Sequence, residues 1–453
     1  MTKPPVAGRR IAAPELSVLS RLPLAVIGLA LGTGLAAQTT ITTDGAAVAI
    51  GTSATMPAGF SAVSVGTTDD PADGNTVAVG QGVTLASDGA DTVRVVSGSN
   101  NTIVNDGTLT VSNAGAAIAV DAGAGNAISN TGSIVSAGYG IQIATDNSGA
   151  ITNTGRIVAK MSGIEARLRN SGIIRNAASG SITGDYAGVM VFGDNSGTLA
   201  NAGTIEVRFP GLAVMGANSG LLENSGRIRA ARIGGLYVSG DNTGIVRNAA
   251  GASLEGGAGP SIVLWSSNAA GGTVENAGSI SAHGQGIAVR FTNAGTIANT
   301  GSIEAAASGI EVMGLPESED SVTSLVNSGT ILNSGSIVAG EYGISVGENA
   351  WMAHDLNDAS DAAPVANSGR IENAAGATIT AESDGISLFG GNTGTVLNAG
   401  SISSASAGIT VLDVNSGTVR NAGAIESDIF GIHVRGNSGR IENAATGSLS
   451  VAN

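Results

Sequence analysis

Residues 392–419 read NTGTVLNAGSISSASAGITVLDVNSGTV and contain each element of a repeat that recurs through most of the chain. A first box has the form N-x-G-x-I and begins here at Asn398. A second box, G-I-x-V, occupies 408–411, and a third, N-S/T-G-x-V, occupies 392–396 and returns at 415–419. These three boxes define one period of the sequence.

The first box recurs at intervals whose commonest value is 23 residues. It begins at Asn105, Asn130, Asn153, Asn176, Asn201, Asn224, Asn248, Asn276, Asn299, Asn333, Asn373, Asn398, Asn421 and Asn443. Within each box the aliphatic residues alternate with variable ones, so that in a strand they share one side and point inward. Each period therefore predicts three short strands separated by turns.

The predicted fold class is all-β, a right-handed parallel β-helix (β-solenoid) of about 15 coils of about 23 residues, with three short strands per coil. Parallel crossovers are overwhelmingly right-handed. The 70 Gly residues argue against a helical protein, since each would weaken a helix interior. A hydrophobic content of 42% argues against disorder.

Turn chemistry explains the repeated Asn and Gly without a ligand. Gly accepts positive φ freely, and Asn tolerates left-handed backbone. Asn residues at equivalent turns are also expected to stack as amide ladders.

Charges at outward positions support an in-register stack. Equivalent positions after the third box read Glu223, Arg247 and Glu275, and later Arg420 and Glu442. A second column reads Glu206, Arg229 and Glu255. Opposite charges about 4.8 Å apart attract. Alternation of sign is therefore what coils in register favour.

The domain prediction has three parts. Residues 1–37 have the basic start, the apolar run and the small residues of a signal peptide, so export from the cell is expected. Residues 38–74 fit the period poorly and are expected to form an N-terminal cap. Residues 75–453 form the β-helix, with loop insertions near 315–324 and 348–364. The repeat stops in mid-coil, which predicts a fragment of a longer protein.

Charge and cysteine content restrict the partners and the means of stabilisation. The formal net charge is −15, and loss of the signal peptide, with four basic residues and one acid, changes it to −18. A polyanion would be repelled, so no nucleic-acid partner is expected. The chain has no Cys, so stability must come from stacking and hydrogen bonding. We expect a monomer.

The N-S-G-x-I and N-A-G-x-I repeats behind an export signal resemble the passenger domain of bacterial autotransporters, of the pertactin-like β-strand-repeat kind. The resemblance covers about residues 75–453. It implies a cell-surface or extracellular protein of a Gram-negative bacterium that acts as an adhesin or structural scaffold. A host-surface protein or glycan would be the partner. The C-terminal β-barrel through which such proteins associate with the outer membrane is missing from this sequence.

No catalytic residues, metal site or cofactor are predicted. The histidines His283, His354 and His433 are scattered, and the outward row of the second box carries only isolated acids. That row reads Gln142, Glu165, Met190, Ala213, Tyr237, Val263, Ala288, Glu311, Ser345, Ser387, Thr410 and His433. The alternatives are an exported polysaccharide lyase or hydrolase, which needs clustered carboxylates, and a pure spacer.

The candidate ligand-binding residues lie in the second insertion. Trp351 stands close to His354, Asp355 and Asp358. An aromatic ring beside carboxylates is suited to stack on a sugar ring or to meet a receptor. The simpler interpretation is a solvated loop that the scaffold tolerates.

Overall fold

A computed structural model describes residues 16–17, 26–29, 38–313, 325–347 and 365–452. The described chain is all β and winds into a parallel β-solenoid of about 16 coils of about 24 residues. Each coil contributes one strand to each of three long sheets, which we number in chain order within a coil. The predicted all-β parallel solenoid with three strands per coil is therefore confirmed.

Sheet 1 holds the strands of the first part of each coil, and most of them end on Asn. Its strands are Val26–Leu29, Ala47–Ile50, Thr76–Val79, Thr102–Asn105, Ala127–Asn130, Ala150–Asn153, Ile173–Asn176, Thr198–Asn201, Leu221–Asn224, Ile245–Asn248, Thr273–Asn276, Thr296–Asn299, Thr330–Asn333, Arg370–Asn373, Thr395–Asn398, Thr418–Asn421 and Arg440–Asn443.

Sheet 2 follows after a short turn. Its strands are Ala54–Ala58, Thr84–Asp88, Thr108–Val111, Ser133–Ser136, Arg156–Ala159, Ser181–Gly184, Thr204–Val207, Arg227–Ala230, Ser253–Gly256, Ser279–Ala282, Ser302–Ala305, Ser336–Ala339, Thr378–Ala381, Ser401–Ser404, Ala424–Ser427 and Ser448–Val451.

Sheet 3 contains the G-I-x-V boxes and short strands at the turn that follows them. Its strands are Leu16–Ser17, Thr39–Ile41, Val63–Val65, Val93–Val95, Ala116–Val120, Tyr139–Ile143, Ile164–Ala166, Val189–Val191, Leu212–Val214, Leu236–Val238, Ile262–Leu264, Ile287–Val289, Ile310–Val312, Leu325–Asn327, Ile344–Val346, Val365–Asn367, Ile386–Leu388, Gly391–Asn392, Ala407–Asn415 and Phe430–Asn437.

Columns of aliphatic side chains fill the interior. In sheet 2, Ile205, Ile228 and Leu254 occupy equivalent positions of successive coils, and each is at most 1% exposed. The same alternation buries Ile and Val in all three sheets, and the core cluster consists of Ile, Val, Leu, Ala and Met56. Burying one such side chain contributes about 1.5–3 kcal/mol, so the stack accumulates stability coil by coil.

The Asn residues that begin the first box form one continuous amide ladder inside the solenoid. The side-chain N–H of each donates to the side-chain oxygen of the next, over 2.7–2.9 Å, from Asn105 to Asn443. The ladder continues across both long steps of the repeat, since Asn333 bonds Asn299 and Asn373 at 2.8 Å each. The expected ladder is thus confirmed, and insertions in other turns do not break it.

A second ladder follows sheet 3 and begins at Asn147. It runs from there to Asn437 through hydrogen bonds of 2.7–2.9 Å. Both ladders donate in one direction only, toward the C-terminal coils. The first ladder accordingly leaves the buried side-chain oxygen of Asn105 without a donor.

The expected role of glycine in the repeat needs a correction. Among the described residues, positive φ is confined to a minority of glycines and to Asn100, and neither the ladder asparagines nor the Gly of the G-I-x-V boxes adopt it. At Gly188 the reason is close approach. An added Cβ would lie 2.6 Å from Cγ2 of Ile205 and 2.5 Å from the backbone oxygen of Gly211. Only glycine lets the strand of sheet 3 lie against the core side chains of sheet 2.

The charge columns are in register as predicted. Arg247 lies between Glu223 and Glu275, with N–O distances of 3.7 and 2.6 Å. Arg420 approaches Glu442 at 3.4 Å. These pairs are partly exposed, and each is worth at most about 1 kcal/mol. They support the register more than they stabilise the fold.

The segment predicted as an N-terminal cap continues the same three sheets. Thr39–Ile41 pairs with Val63–Val65, Ala47–Ile50 with Thr76–Val79, and Ala54–Ala58 with Thr84–Asp88. Within the predicted signal peptide, Val26–Leu29 pairs with Ala47–Ile50. Residues 38–74 therefore have solenoid geometry, although their sequence matches the period poorly.

We expect replacement of Asn224 by Ala to lower the free energy of unfolding by about 3 kcal/mol. The substitution leaves a side-chain N–H of Asn201 and the side-chain oxygen of Asn248 buried without their hydrogen bonds to residue 224. Urea unfolding followed by circular dichroism measures this. Ser225→Ala in the same turn removes only an exposed hydroxyl that donates to the backbone oxygen of Asn201 at 3.3 Å, and should lower stability by no more than about 1 kcal/mol. Equal effects of the two substitutions would contradict a stabilising ladder.

Candidate functional site: the outer face of sheet 3

The residues predicted to bind a ligand, Trp351, His354, Asp355 and Asp358, lie outside the described residues, as do both predicted insertions. The described candidate surfaces are the outer faces of the three sheets.

The aromatic residues that the structure describes are confined to one of these surfaces. The sequence has six Phe, four Tyr and two Trp, and Trp351 is the one that is not described. All the others lie in the strands of sheet 3 or in the turns directly before and after them, and sheets 1 and 2 carry none. They are Phe60, Tyr139, Tyr186, Phe192, Phe209, Tyr237, Trp265, Phe291, Tyr342, Phe389 and Phe430. This segregation marks the sheet 3 face, meaning its outer surface and flanking turns.

The floor of the sheet 3 face is the outward row predicted from the G-I-x-V boxes. Its register is confirmed, from Gln142 paired with Glu165 to Thr410 paired with His433. Its expected exposure is wrong for most members. Glu165 is only 3% exposed, and Met190 and Ala213 pack with Ala187 beneath the half-buried ring of Tyr237. Alternation alone places these positions in solvent, but bulky side chains in the flanking turns and in the row itself cover them.

Two rims of larger side chains border this floor. The turn before each strand presents Met161, Tyr186, Phe209 and Ile233 in successive coils. The position after each strand presents Arg167, Phe192, Met215, Ser239, Trp265 and Arg290, held in line by backbone hydrogen bonds of 2.8–3.0 Å between coils. Five apolar residues of these rims, together with Leu168 directly after Arg167, are substantially exposed and form what we call the exposed patch. They are Met161, Leu168, Tyr186, Phe192, Met215 and Trp265.

Arginines stack on the aromatic rings of this face. The guanidinium of Arg290 lies 4.5 Å from the ring centre of Trp265. Arg232 lies 5.9 Å from the ring of Phe209, which itself contacts Tyr186 at 5.3 Å. Such cation–π contacts contribute about 0.5–1 kcal/mol at exposed sites and fix the side chains in place. The rims are therefore partly preorganised.

A polar network lies at the N-terminal end of the patch. The two oxygens of Glu165 accept hydrogen bonds from Gln142 and Arg167, at 3.2 and 3.3 Å, and from Ser162 at 3.3 Å. Arg167 also lies 5.8 Å from the ring centre of Tyr139. Glu165 thus holds Arg167 over the rim and has no oxygen free of a partner.

Farther toward the N-terminus, Arg94 pairs with Asp121 at 2.6 Å and with Asp91 at 3.7 Å. Burial raises the pKa of the Asp91 carboxyl above 3.8, while the backbone N–H of Ala116 and Arg94 oppose the shift. Within the described ranges, no group of three or more His, Asp or Glu side chains is arranged to hold a metal ion. No helix among those residues has the length and apolar character to span a membrane.

Burial also raises the pKa of Tyr237 above 10, and a hydrogen bond with Ser239 opposes the shift. An unfolded chain would ionise this phenol near pH 10 while the folded chain keeps it neutral, so stability is lost as pH rises above about 10. We expect the free energy of unfolding to fall less steeply above pH 10 in Tyr237→Phe than in the native chain. Urea unfolding at pH 8 to 11 measures the slopes. Identical slopes would show that the phenol is not shielded from water.

No protein-family model, curated protein or solved structure matches this chain significantly. The assignment of the chain as a parallel β-solenoid accordingly stands on the register of its own strands. The sheet 3 face is the candidate functional site of the described chain.

Proposed function

We propose that this chain is the exported, non-catalytic passenger of an autotransporter-type protein and acts as an adhesin or structural scaffold at the surface of a Gram-negative bacterium. The observation that carries the proposal is the exposed patch on the sheet 3 face. The resemblance of the repeats to autotransporter passengers and the predicted signal peptide support the location.

The patch has the features of an interaction surface. Phe192 is 46% exposed and Trp265 40%, although large aromatic side chains normally gain by burial. Clustered apolar residues on a soluble protein mark sites of interaction, and aromatic residues with Arg dominate binding energy at interfaces. Because the rims run along several coils, the surface suits an extended partner.

A binding role fits the acids of this face better than catalysis does. Both oxygens of Glu165 are occupied by neighbouring side chains, whereas a general acid or base must exchange its proton with a substrate. Asp91 and Asp121 share Arg94, and the shifted pKa of Asp91 is the one feature that favours the alternative of a polysaccharide-acting enzyme. An assay for released reducing or unsaturated sugar ends tests that alternative.

Adhesion tests the proposal directly. Beads coated with residues 38–453 should adhere to extracellular matrix or host cells, and the pair Phe192→Ser and Trp265→Ser should weaken adhesion about tenfold, since each removes an interface aromatic. The matched control is the pair Ile173→Ser and Val338→Ser, which replaces side chains that are 48% and 47% exposed on sheets 1 and 2. A third protein without residues 348–364 tests the predicted loop.

Equal adhesion by the patch and control variants would remove the patch from the proposal. Loss of adhesion only on deleting residues 348–364 would move the site to the loop. Release of sugar ends by the native chain would replace the proposal with the enzyme alternative.

Export has its own test. Expression of the full chain in a Gram-negative host should give a product outside the cytoplasm that begins at Gln38, because the small residues before it suit signal peptidase. Mass spectrometry of the N-terminal peptide measures this. A cytoplasmic product that still begins at residue 1 would contradict the prediction.

A further inference from the structure

Resting on the proposed function, we propose that the sheet 3 face binds an anionic polysaccharide whose chain lies along the axis of the solenoid. Sugar rings would stack on the exposed aromatic side chains, and carboxylate or sulfate groups would pair with the arginines of the rims.

Charge complementarity is the first argument. The strands of sheet 3 with their flanking turns, from Lys160 to Asn293, carry six basic residues and four acids, although the whole chain has a net charge of −15. The segments counted are 160–169, 184–194, 208–217, 231–241, 257–267 and 283–293. This part of the face is therefore locally positive on an acidic protein, which favours an anionic ligand there.

The pairing of the arginines is the second argument. On sheets 1 and 2, most arginines form ion pairs with glutamates of the same face, as Arg227, Arg247, Arg370, Arg420 and Arg440 do, while Arg156 and Arg175 form none among the described residues. On the sheet 3 face, Arg94, Arg167 and Arg169 pair with carboxylates, whereas Arg208, Arg232 and Arg290 have no carboxylate partner among the described residues. Arg208 and Arg232 are exposed. Their charges are consequently available to a ligand.

Arg290 shows how an arginine of this face is held beside an aromatic ring. Its guanidinium stacks over Trp265 and approaches the sulfur of Met313 at 3.1 Å, while its buried Nε lacks an acceptor. A guanidinium held beside an aromatic ring places N–H donors next to an apolar platform. Sugar acids present the complementary pair, an apolar ring face and a carboxylate that Arg binds with two hydrogen bonds.

The spacing of the coils fits a chain of sugars. Phe192, Met215 and Trp265 lie on one rim at steps of one or two coils, and coils are about 4.8 Å apart. A pyranose unit advances a polysaccharide by about the same length. The opposite rim, in the turn before each strand, carries Lys160, Arg208, Arg232 and His283, with the exposed acid Asp185 in the coil between Lys160 and Arg208. A chain along the axis would therefore meet apolar side chains on one rim and, apart from Asp185, Lys, Arg and His side chains on the other.

The fluorescence of Trp265 provides the measurement. Trp351→Phe makes Trp265 the single Trp of the chain, and its emission should change on titration with polygalacturonate, hyaluronan or chondroitin sulfate. Dextran and methyl-esterified polygalacturonate, which lack the charge, should bind at least about tenfold more weakly. Affinity should fall as salt rises from about 0.05 to 0.5 M, since exposed charges are screened.

Two double variants that remove the same number of positive charges distinguish a specific site from general electrostatic attraction. Arg232→Gln with Arg290→Gln should weaken binding at least about tenfold, whereas Arg227→Gln with Arg440→Gln, on sheets 2 and 1, should leave it unchanged. Equal loss in both pairs would overturn the site.

Three other outcomes also overturn the inference: no acidic glycan binding up to millimolar concentration, equal binding of charged and neutral glycans, or preferential binding of single-stranded DNA. If coated beads still adhere through the patch in these cases, the proposed function stands with a protein partner. If the beads do not adhere at all, the proposed function itself fails.

Discussion

The hydrogen bond between equivalent asparagines of neighbouring coils is the constraint on which the rest of the structure depends. A buried primary amide must satisfy two donors and one acceptor. Identical amides in the neighbouring coils satisfy the acceptor and one donor with no change of geometry, and the second donor bonds a backbone carbonyl, as Asn201 does with Gly203. A slip of one residue would bury unpaired polar groups and expose the aliphatic columns together. The ladders from Asn105 and from Asn147 therefore hold the register that the hydrophobic core alone would specify less sharply.

With the register fixed, every outward position becomes a column, and the three faces use their columns differently. Sheets 1 and 2 carry alternating charges such as Glu223, Arg247 and Glu275, which satisfy one another. The sheet 3 face carries all the described aromatic residues, and there Arg232 and Arg290 lie over rings with no carboxylate partner among the described residues. Most arginines of sheets 1 and 2 thus pair with glutamates, whereas the sheet 3 face is where aromatic rings and unpaired arginines occur together.

The inward pattern could be predicted from the sequence because alternation and stacking are both periodic. The aliphatic columns, the Asn ladders and the pairing of Arg247 follow from the period alone. The need for glycine at position 188 does not follow from the period, since it depends on close approach to Ile205 of the next coil. Nor does the burial of Glu165, which depends on bulky neighbours. The position of Phe192 and Trp265 at one edge is visible in the sequence, because each directly follows a strand of sheet 3, but alternation within the boxes assigns no face to a residue after the strand.

The ladder tolerates the long steps around Asn333, and this affects how the gene can change in evolution. Each coil offers its neighbours the same amide, the same aliphatic side chains and the same turn, so a duplicated or deleted stretch of DNA encoding one coil leaves compatible junctions on both sides. The length of the rod, and with it the reach of anything it displays, can change in whole coils during evolution while the cross-section stays constant.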